Sequence, residues 1–280
     1  MSGKILVIGA TGNVGRPLVR ELVAAGEQVK AASRAATVIS GAEAIRFDQA
    51  DPSTYQDAFN GVDRVYVLVP SDRLDVADYL TPILQAAIER NVKVALQTAL
   101  GVDADERTPY RQAELFLERS GTPFVIVRPT WFSDNFHLSW LPGIKAQGVI
   151  AVPAADGKSS FIDVRDIAAS AASALRSNQF DGKAYNLTGP ASLSYHEAAG
   201  ILSTVAGKEV RYQPVDDQTF IGILTGVGMP ADFASHLASL FYPVREGWTA
   251  VVADGVETLT GKPPRSLETY ATDHAAKFKN

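Results

Sequence analysis

Lys4-Ile-Leu-Val-Ile8, followed at once by Gly9-Ala10-Thr11-Gly12-Asn13-Val14-Gly15, is the stretch that decides the fold. Five mostly apolar residues read as a buried strand, and three glycines spaced three apart follow without a break. From Asn13 onward, Val14, Leu18, Leu22 and Val23 recur at helical spacing. Strand, glycine turn and helix, in that order, form the context a dinucleotide fingerprint requires. Gly9 allows a tight turn, Gly12 lets backbone approach a pyrophosphate, and Gly15 lets the helix pack closely on the strand. The helix N-terminus offers N–H groups and a positive dipole end to the anion. Gly9, Ala10, Thr11, Gly12, Asn13, Val14 and Gly15 are therefore the first cofactor-binding candidates. Taken alone, the pattern leaves open a tight βα turn in some other α/β protein.

Outward from this stretch, Gln28-Val-Lys-Ala-Ala32 reads as a second strand, ending in Ser33-Arg34. That end lies about 20 residues past the glycines, where an NAD-binding chain offers an acidic side chain to the ribose 2′-hydroxyl. Here nothing acidic occurs between Glu27 and Glu43. A carboxylate repels a 2′-phosphate, whereas a guanidinium pairs with it bidentately. Ser33 and Arg34 accordingly favour NADP(H), against the plainer use of Arg34 as a solvated loop residue. Residues 43–47 give a short third strand ending in Asp48, which is placed for an adenine amino group and equally for capping. Asp51 and Pro52 open the next helix as N-cap and N1. Residues 64–69 form a continuous apolar strand whose end, Val69-Pro70-Ser71, lies open to a nicotinamide ribose. A helix is expected from Thr81-Pro82 through Arg90, a fifth strand over residues 92–97 ending at Thr98, and a helix over residues 106–120. A sixth strand, residues 123–127, runs into Arg128-Pro129-Thr130-Trp131.

Six strands alternating with helices imply an α/β fold, a Rossmann-type doubly wound parallel sheet. Ligands of such sheets bind outside the carboxyl ends of the strands. That adds Thr98, Pro129 and Thr130 to the cofactor candidates. Residues 1–130 read as the nucleotide-binding core. Residues 131–280 read as a mixed segment that returns to the core and forms a smaller, mostly helical substrate lobe. Its start, residues 131–148, is rich in aromatics and is expected to break at Pro142-Gly143. Core packing is the commoner use of such a cluster. Its position after a strand end makes Trp131, Asn135 and Phe136 the substrate-wall candidates. Further on, residues 161–164 read as a short strand, 165–176 as a helix, 184–187 as a strand, Ser194 as the N-cap of a helix to Ala206, and 209–213 as a strand.

Composition narrows the function. A formal charge of −5 supplies no footprint for nucleic acid. The chain has no cysteine, which excludes disulfides, thiolate nucleophiles and zinc–thiolate sites. The four histidines, at 137, 196, 236 and 274, have no ligand spacing, so no metal site is expected. No apolar run approaches the roughly 20 residues of a membrane span, and no basic n-region precedes the first strand. A soluble cytoplasmic protein without a membrane partner is the expectation.

The informative absence concerns tyrosine. Rossmann reductases of the short-chain type place Tyr-x-x-x-Lys on the helix after strand five, where the ammonium lowers the phenol's pKa. The corresponding residues here are Tyr110-Arg-Gln-Ala-Glu114. A carboxylate at 114 is expected to raise the phenol's pKa if anything. Tyr110 stays a substrate-contact candidate against an equal chance of being a surface residue, and no catalytic residue is assigned. Reduction of an ordinary ketone builds an alkoxide that needs a positioned acid. A quinone gives a phenolate, whose conjugate acid has a pKa near about 10, and water suffices as its proton donor.

Several of these stretches, with Asn60-Gly-Val-Asp63, residues 121–129, residues 161–167 and residues 185–189, together resemble the NmrA-like family of atypical short-chain dehydrogenase/reductases. With a residue other than lysine at 114, the chain is most similar to the family's bacterial NADPH:quinone reductases. The resemblance implies cofactor contacts at Gly9 to Val14, Arg34, Val69 to Ser71 and the segment after strand six. It implies an NADPH-dependent reductase of quinone-like or other electrophilic aromatic acceptors. The family also contains NADP(H)-sensing regulators with little turnover, so a protein partner or a homo-oligomer stays open.

Overall fold

The computed structural model describes residues 3–70 and 73–279. Its first half runs β1 (Lys4–Ile8), α1 (Gly15–Ala24), β2 (Val29–Ser33), β3 (Glu43–Arg46), α2 (Tyr55–Phe59), β4 (Val62–Val67), α3 (Val76–Glu89), β5 (Lys93–Gln97), α4 (Pro109–Glu118) and β6 (Phe124–Pro129). Then follow α5 (Asn135–Leu138), α6 (Leu141–Gln147), β7 (Val149–Val152), β8 (Lys158–Ser159), α7 (Val164–Arg176), β9 (Lys183–Leu187), β10 (Leu193–Ser194), α8 (Tyr195–Ala206) and β11 (Arg211–Pro214). Short helices occupy most of the remainder. Two compact units result. One takes Met1–Pro129, Val164–Leu187 and Asp254–Lys262, and the other Thr130–Asp163, Thr188–Ala253 and Pro263–Asn280.

The first unit holds a seven-stranded sheet of order β3-β2-β1-β4-β5-β6-β9. Every neighbouring pair is parallel. The middle strands are apolar at nearly every position because helices cover both faces. Leu6, Val65, Val94 and Ile126 are wholly buried in one core with Leu80, Ile83 and Leu117 of the flanking helices. The chain moves from β1 outward to β3, then returns to the other side of β1 with β4. That reversal leaves a crevice at the carboxyl ends of β1 and β4, the site such sheets use for ligands. The seventh strand, β9, is one that the alternation of six did not place in this sheet; it pairs with β6 through Val125–Lys183 to Pro129–Leu187.

Several boundaries differ from expectation for local reasons. α1 begins at Gly15 rather than Asn13, with Val14 as its N-cap. Pro82 does not open a helix but sits inside α3, which begins at Val76. A proline there takes a donor from the carbonyl one turn back, and the Gln49 side chain supplies the replacement, Nε2 to the Asp78 oxygen at 2.9 Å. α4 begins at Pro109 rather than Glu106. Thr108 caps it, accepting from the Arg111 N–H, and Pro109 takes the first turn.

The second unit is built around an aromatic core of Phe136, Phe161, Tyr195, Tyr212, Phe220 and Phe241. Pro142 and Gly143 do not break its first segment: the break falls at Ser139-Trp140, and Pro142 lies in the first turn of α6. Residues 161–164 do not form a strand. Ile162 makes an isolated bridge to Phe132, and β8 pairs instead with β10. α8 begins as expected, with a full capping box between Ser194 and Glu197. β11 starts at Arg211, two residues late, and pairs in parallel with β7.

In this unit the rings of His137 and His274 stack at 5.0 Å, and Tyr270 lies 4.4 Å from His274. The Tyr270 hydroxyl and His137 Nδ1 share a hydrogen bond. Burial first, then the neighbouring His274 and Lys277, push the His137 pKa down from 6.5 to about 4, with Asp163 opposing. Between those values the unfolded chain takes up a proton that the folded chain refuses, so stability falls as acid is added. Thermal unfolding followed from pH 6.5 to 4 should show that decline, and His137→Phe should flatten it; an unaltered slope would assign the loss to other groups.

Candidate active site

The glycine turn shows what each glycine is for. Gly9 has φ +72°, a left-handed conformation that ends β1 in a tight turn. A Cβ on Gly15 would lie 2.1 Å from the Gly9 carbonyl oxygen and 2.9 Å from Ala10 Cα. A Cβ on Gly12 would lie 3.3 Å from that same oxygen. Helix α1 therefore starts directly on the backbone of the turn, with the Gly12 N–H donating to the Gly9 oxygen at 2.9 Å. Thr11, Gly12 and Asn13 are exposed, while Ala10, Val14 and Gly15 are buried. At the start of α1 the Arg16 N–H is bonded to the Gly12 oxygen and the Leu18 N–H to the Val14 oxygen, each at 3.0 Å. Pro17 has no N–H, so the Gly15 N–H is the one in the first turn left to face an anion among the described residues. A backbone cradle shorn of side chains, ending on a helix N-terminus, fits a pyrophosphate.

At the end of β2, Arg34 is exposed in a turn. Ser33 holds that turn, its Oγ accepting from the Thr37 N–H at 2.9 Å. Asp48 makes a local Asx turn, its Oδ1 accepting from the Ala50 N–H at 3.1 Å, while Asp51 caps the turn that follows. β4 ends at Val67, earlier than expected; Val69 is packed into the core and Pro70 is half-buried. Ser71 lies outside the described residues.

The largest departure from expectation is at Thr98 and Glu114. Glu114 is wholly buried on α4. Its Oε1 accepts from Thr98 Oγ1 at 2.7 Å and from Arg128 Nε at 3.0 Å. Its Oε2 accepts from Arg128 Nη2 at 2.7 Å and from Arg111 Nη1 at 2.9 Å. Arg128 reaches on to Asp103 at 2.6 Å, and Arg111 to Glu118 at 2.7 Å. The Thr98 hydroxyl proton is thus spent on Glu114. Tyr110, one turn before Glu114, is half-buried and packs against the sheet core. Its pKa is raised, as expected, but by burial and not by the carboxylate. Two guanidiniums already balance Glu114.

The sequence contained a signal for this network. Arg111, Glu114 and Glu118 recur at helical spacing on one face, and Arg128 closes an apolar strand where a buried cation needs a counter-ion. Pro129 ends β6, its oxygen accepting from the Leu100 N–H at 3.0 Å. In the second unit, the buried Thr130 Oγ1 has no hydrogen-bond partner among the described residues. Trp131 is half-buried, 4.7 Å from the Phe241 ring, and Asn135 is half-buried at the start of α5. Phe136 is wholly buried, stacked edge-on against Trp140 and Phe161. It belongs to the core, so the commoner use of an aromatic cluster holds for it and the substrate-wall assignment does not.

The NmrA-like family matches residues 1–267 of this chain. An uncharacterized oxidoreductase, YesF, of Bacillus subtilis is 33% identical over 97% of this chain and 95% of its own. The NAD(P)H azoreductase of Xenophilus azovorans is 33% identical over 98% and 99%. The NADPH-dependent quinone oxidoreductase QOR2 of Escherichia coli, solved with NADPH, superimposes with a TM-score of 0.85 at 26% identity, covering 96% of this chain and 99% of that one.

Gly15→Ala should cost about 1–3 kcal/mol, the usual range for overpacking, because its methyl meets backbone that has nowhere to go. Gly12→Ala, with a 3.3 Å contact, should cost clearly less. Urea unfolding of the two variants checks the order, and equal losses would contradict it.

Proposed function

Because the chain belongs to the NmrA-like family, we propose that it is an NADP(H)-dependent reductase of quinone-like or other electrophilic aromatic acceptors that works without a tyrosine–lysine acid pair. The observation that carries this reading is the buried Glu114, bonded to Arg128, Arg111 and Thr98 at the position where short-chain reductases keep a lysine. The names of two similar proteins, an azoreductase and a quinone oxidoreductase, support a flat conjugated acceptor.

In this reading the backbone of residues 9–15 takes the pyrophosphate, and Arg34, in the turn that Ser33 holds, pairs with the 2′-phosphate. Bound NADPH supplies the hydride. The chain's own part is to bind and orient. Tyr110 keeps its proton because burial raises its pKa and no ammonium lies one turn away to lower it. An acceptor that becomes an alkoxide would find no acid here. An acceptor that becomes a phenolate, with a conjugate-acid pKa near about 10, needs only water.

Following NADPH absorbance with a panel of quinones and azo compounds tests the reading. Acceptor-dependent oxidation is expected, with simple ketones inactive. Saturable NADPH binding without oxidation by any acceptor would replace the reductase by a nucleotide-sensing protein. Arg34→Glu should raise the KM for NADPH at least about tenfold and change that for NADH little, since a charge-assisted pair becomes a repulsion. Equal effects on both cofactors would remove Arg34 from the 2′-phosphate.

A further inference from the structure

Glu114 does more than stand in for a missing lysine. A threonine hydroxyl has one proton to donate and two lone pairs to accept with. Thr98 gives its proton to Glu114 Oε1 at 2.7 Å, and the Thr98 N–H goes to the Val127 oxygen at 3.0 Å. The same carboxylate takes two N–H groups of Arg128, the residue next to Val127 on β6. One buried group therefore ties the end of β5, the end of β6 and the first turns of α4. Beyond the strand β5 proper, backbone bonding between the two ends continues, the Leu100 N–H reaching the Pro129 oxygen at 3.0 Å.

We propose that Glu114 is a positioning residue: it holds the ends of β5 and β6 in one arrangement and fixes Thr98 as a hydrogen-bond acceptor that has no proton to offer a ligand. A ligand group meeting Thr98 must then be a donor, an amide N–H or a hydroxyl, and not a carbonyl or phosphate oxygen. Resting on the reductase reading, this narrows the substrate side to acceptors that carry a hydroxyl or amide N–H beside the conjugated system, such as hydroxyquinones, since a bare quinone carbonyl cannot donate to Thr98. It accounts for why losing the lysine is not a simple vacancy. The charge at 114 is reversed, and Arg111 and Arg128 are both arranged around the reversed charge. A lysine returned to position 114 alone would face two guanidiniums.

The test uses Thr98→Val, Thr98→Ser and Glu114→Gln, with NADPH affinity by fluorescence titration and kcat and KM from reduction of a hydroxyquinone. Thr98→Val keeps the shape and removes both the proton and the lone pairs. It should lower kcat about tenfold, the worth of one hydrogen bond in a charged network, while NADPH affinity at the glycine turn is kept. Thr98→Ser should recover most of that loss. Glu114→Gln should reproduce the fall in kcat; where it does not fold, Thr98→Val and Thr98→Ser decide. A Thr98→Val enzyme with the wild-type kcat would overturn the proposal, as would a loss of kcat that Thr98→Ser fails to recover. A wild-type protein that binds NADPH and reduces nothing would instead sink the reductase reading. The inference, which rests on that reading, would then fall with it.

Discussion

Helix α1 can begin where it does only because position 15 carries no side chain. The space a methyl would need is filled by the Gly9 carbonyl, 2.1 Å from where that Cβ would stand. Much of the first unit depends on this contact. It brings the helix onto the end of β1, which lies where the strand order reverses. β2, β4, β5 and β6 are parallel and buried at nearly every position, so their side chains serve packing, while the edge strands β3 and β9 are largely exposed. Chemistry is left to the residues just past their carboxyl ends.

At those ends the charge arrangement sets what the scaffold is suited to do. Removing one partner of a buried ion pair costs about 3–5 kcal/mol, so Glu114 and Arg128 constrain each other strongly. The pair lies beneath the segment where a proton donor would be expected, and it takes up the one hydroxyl available at the end of β5. Stability and reactivity meet at the same carboxylate. On the proposed reading, a site built this way is matched to acceptors that carry their own driving force.

The glycine turn, the parallel sheet and most strand positions could be read from the sequence, because glycine spacing and apolar runs report backbone geometry directly. Helix starts were harder to read. Thr108-Pro109 is a capping signal that a neighbouring run of charged residues obscured, and Pro82 is tolerated within α3 because Gln49, far away in sequence, supplies the lost donor. The Glu114 network was half legible. The residue was conspicuous for what it replaced, but its partners Thr98 and Arg128, and Asp103 behind Arg128, come from separate loops and strands that only the fold brings together. Phe136 shows the opposite failure: its position after a strand end suggested a wall, and packing made it core.

The seventh strand has a consequence for how the protein is made. Most neighbouring strands of the sheet follow one another along the chain, but two pairings close long loops: β4 reaches back across residues 9–61 to β1, and β9 back to β6. β9 pairs with β6 only after residues 130–182 have been synthesised, and those residues include a large part of the other unit. Closing so long a loop delays the contact. During that interval β6 is an uncovered sheet edge, with its N–H and C=O groups open to a second nascent chain. The last strand of the sheet is thus also its guard against mispairing, and its arrival sets how long the half-made protein is at risk of aggregation.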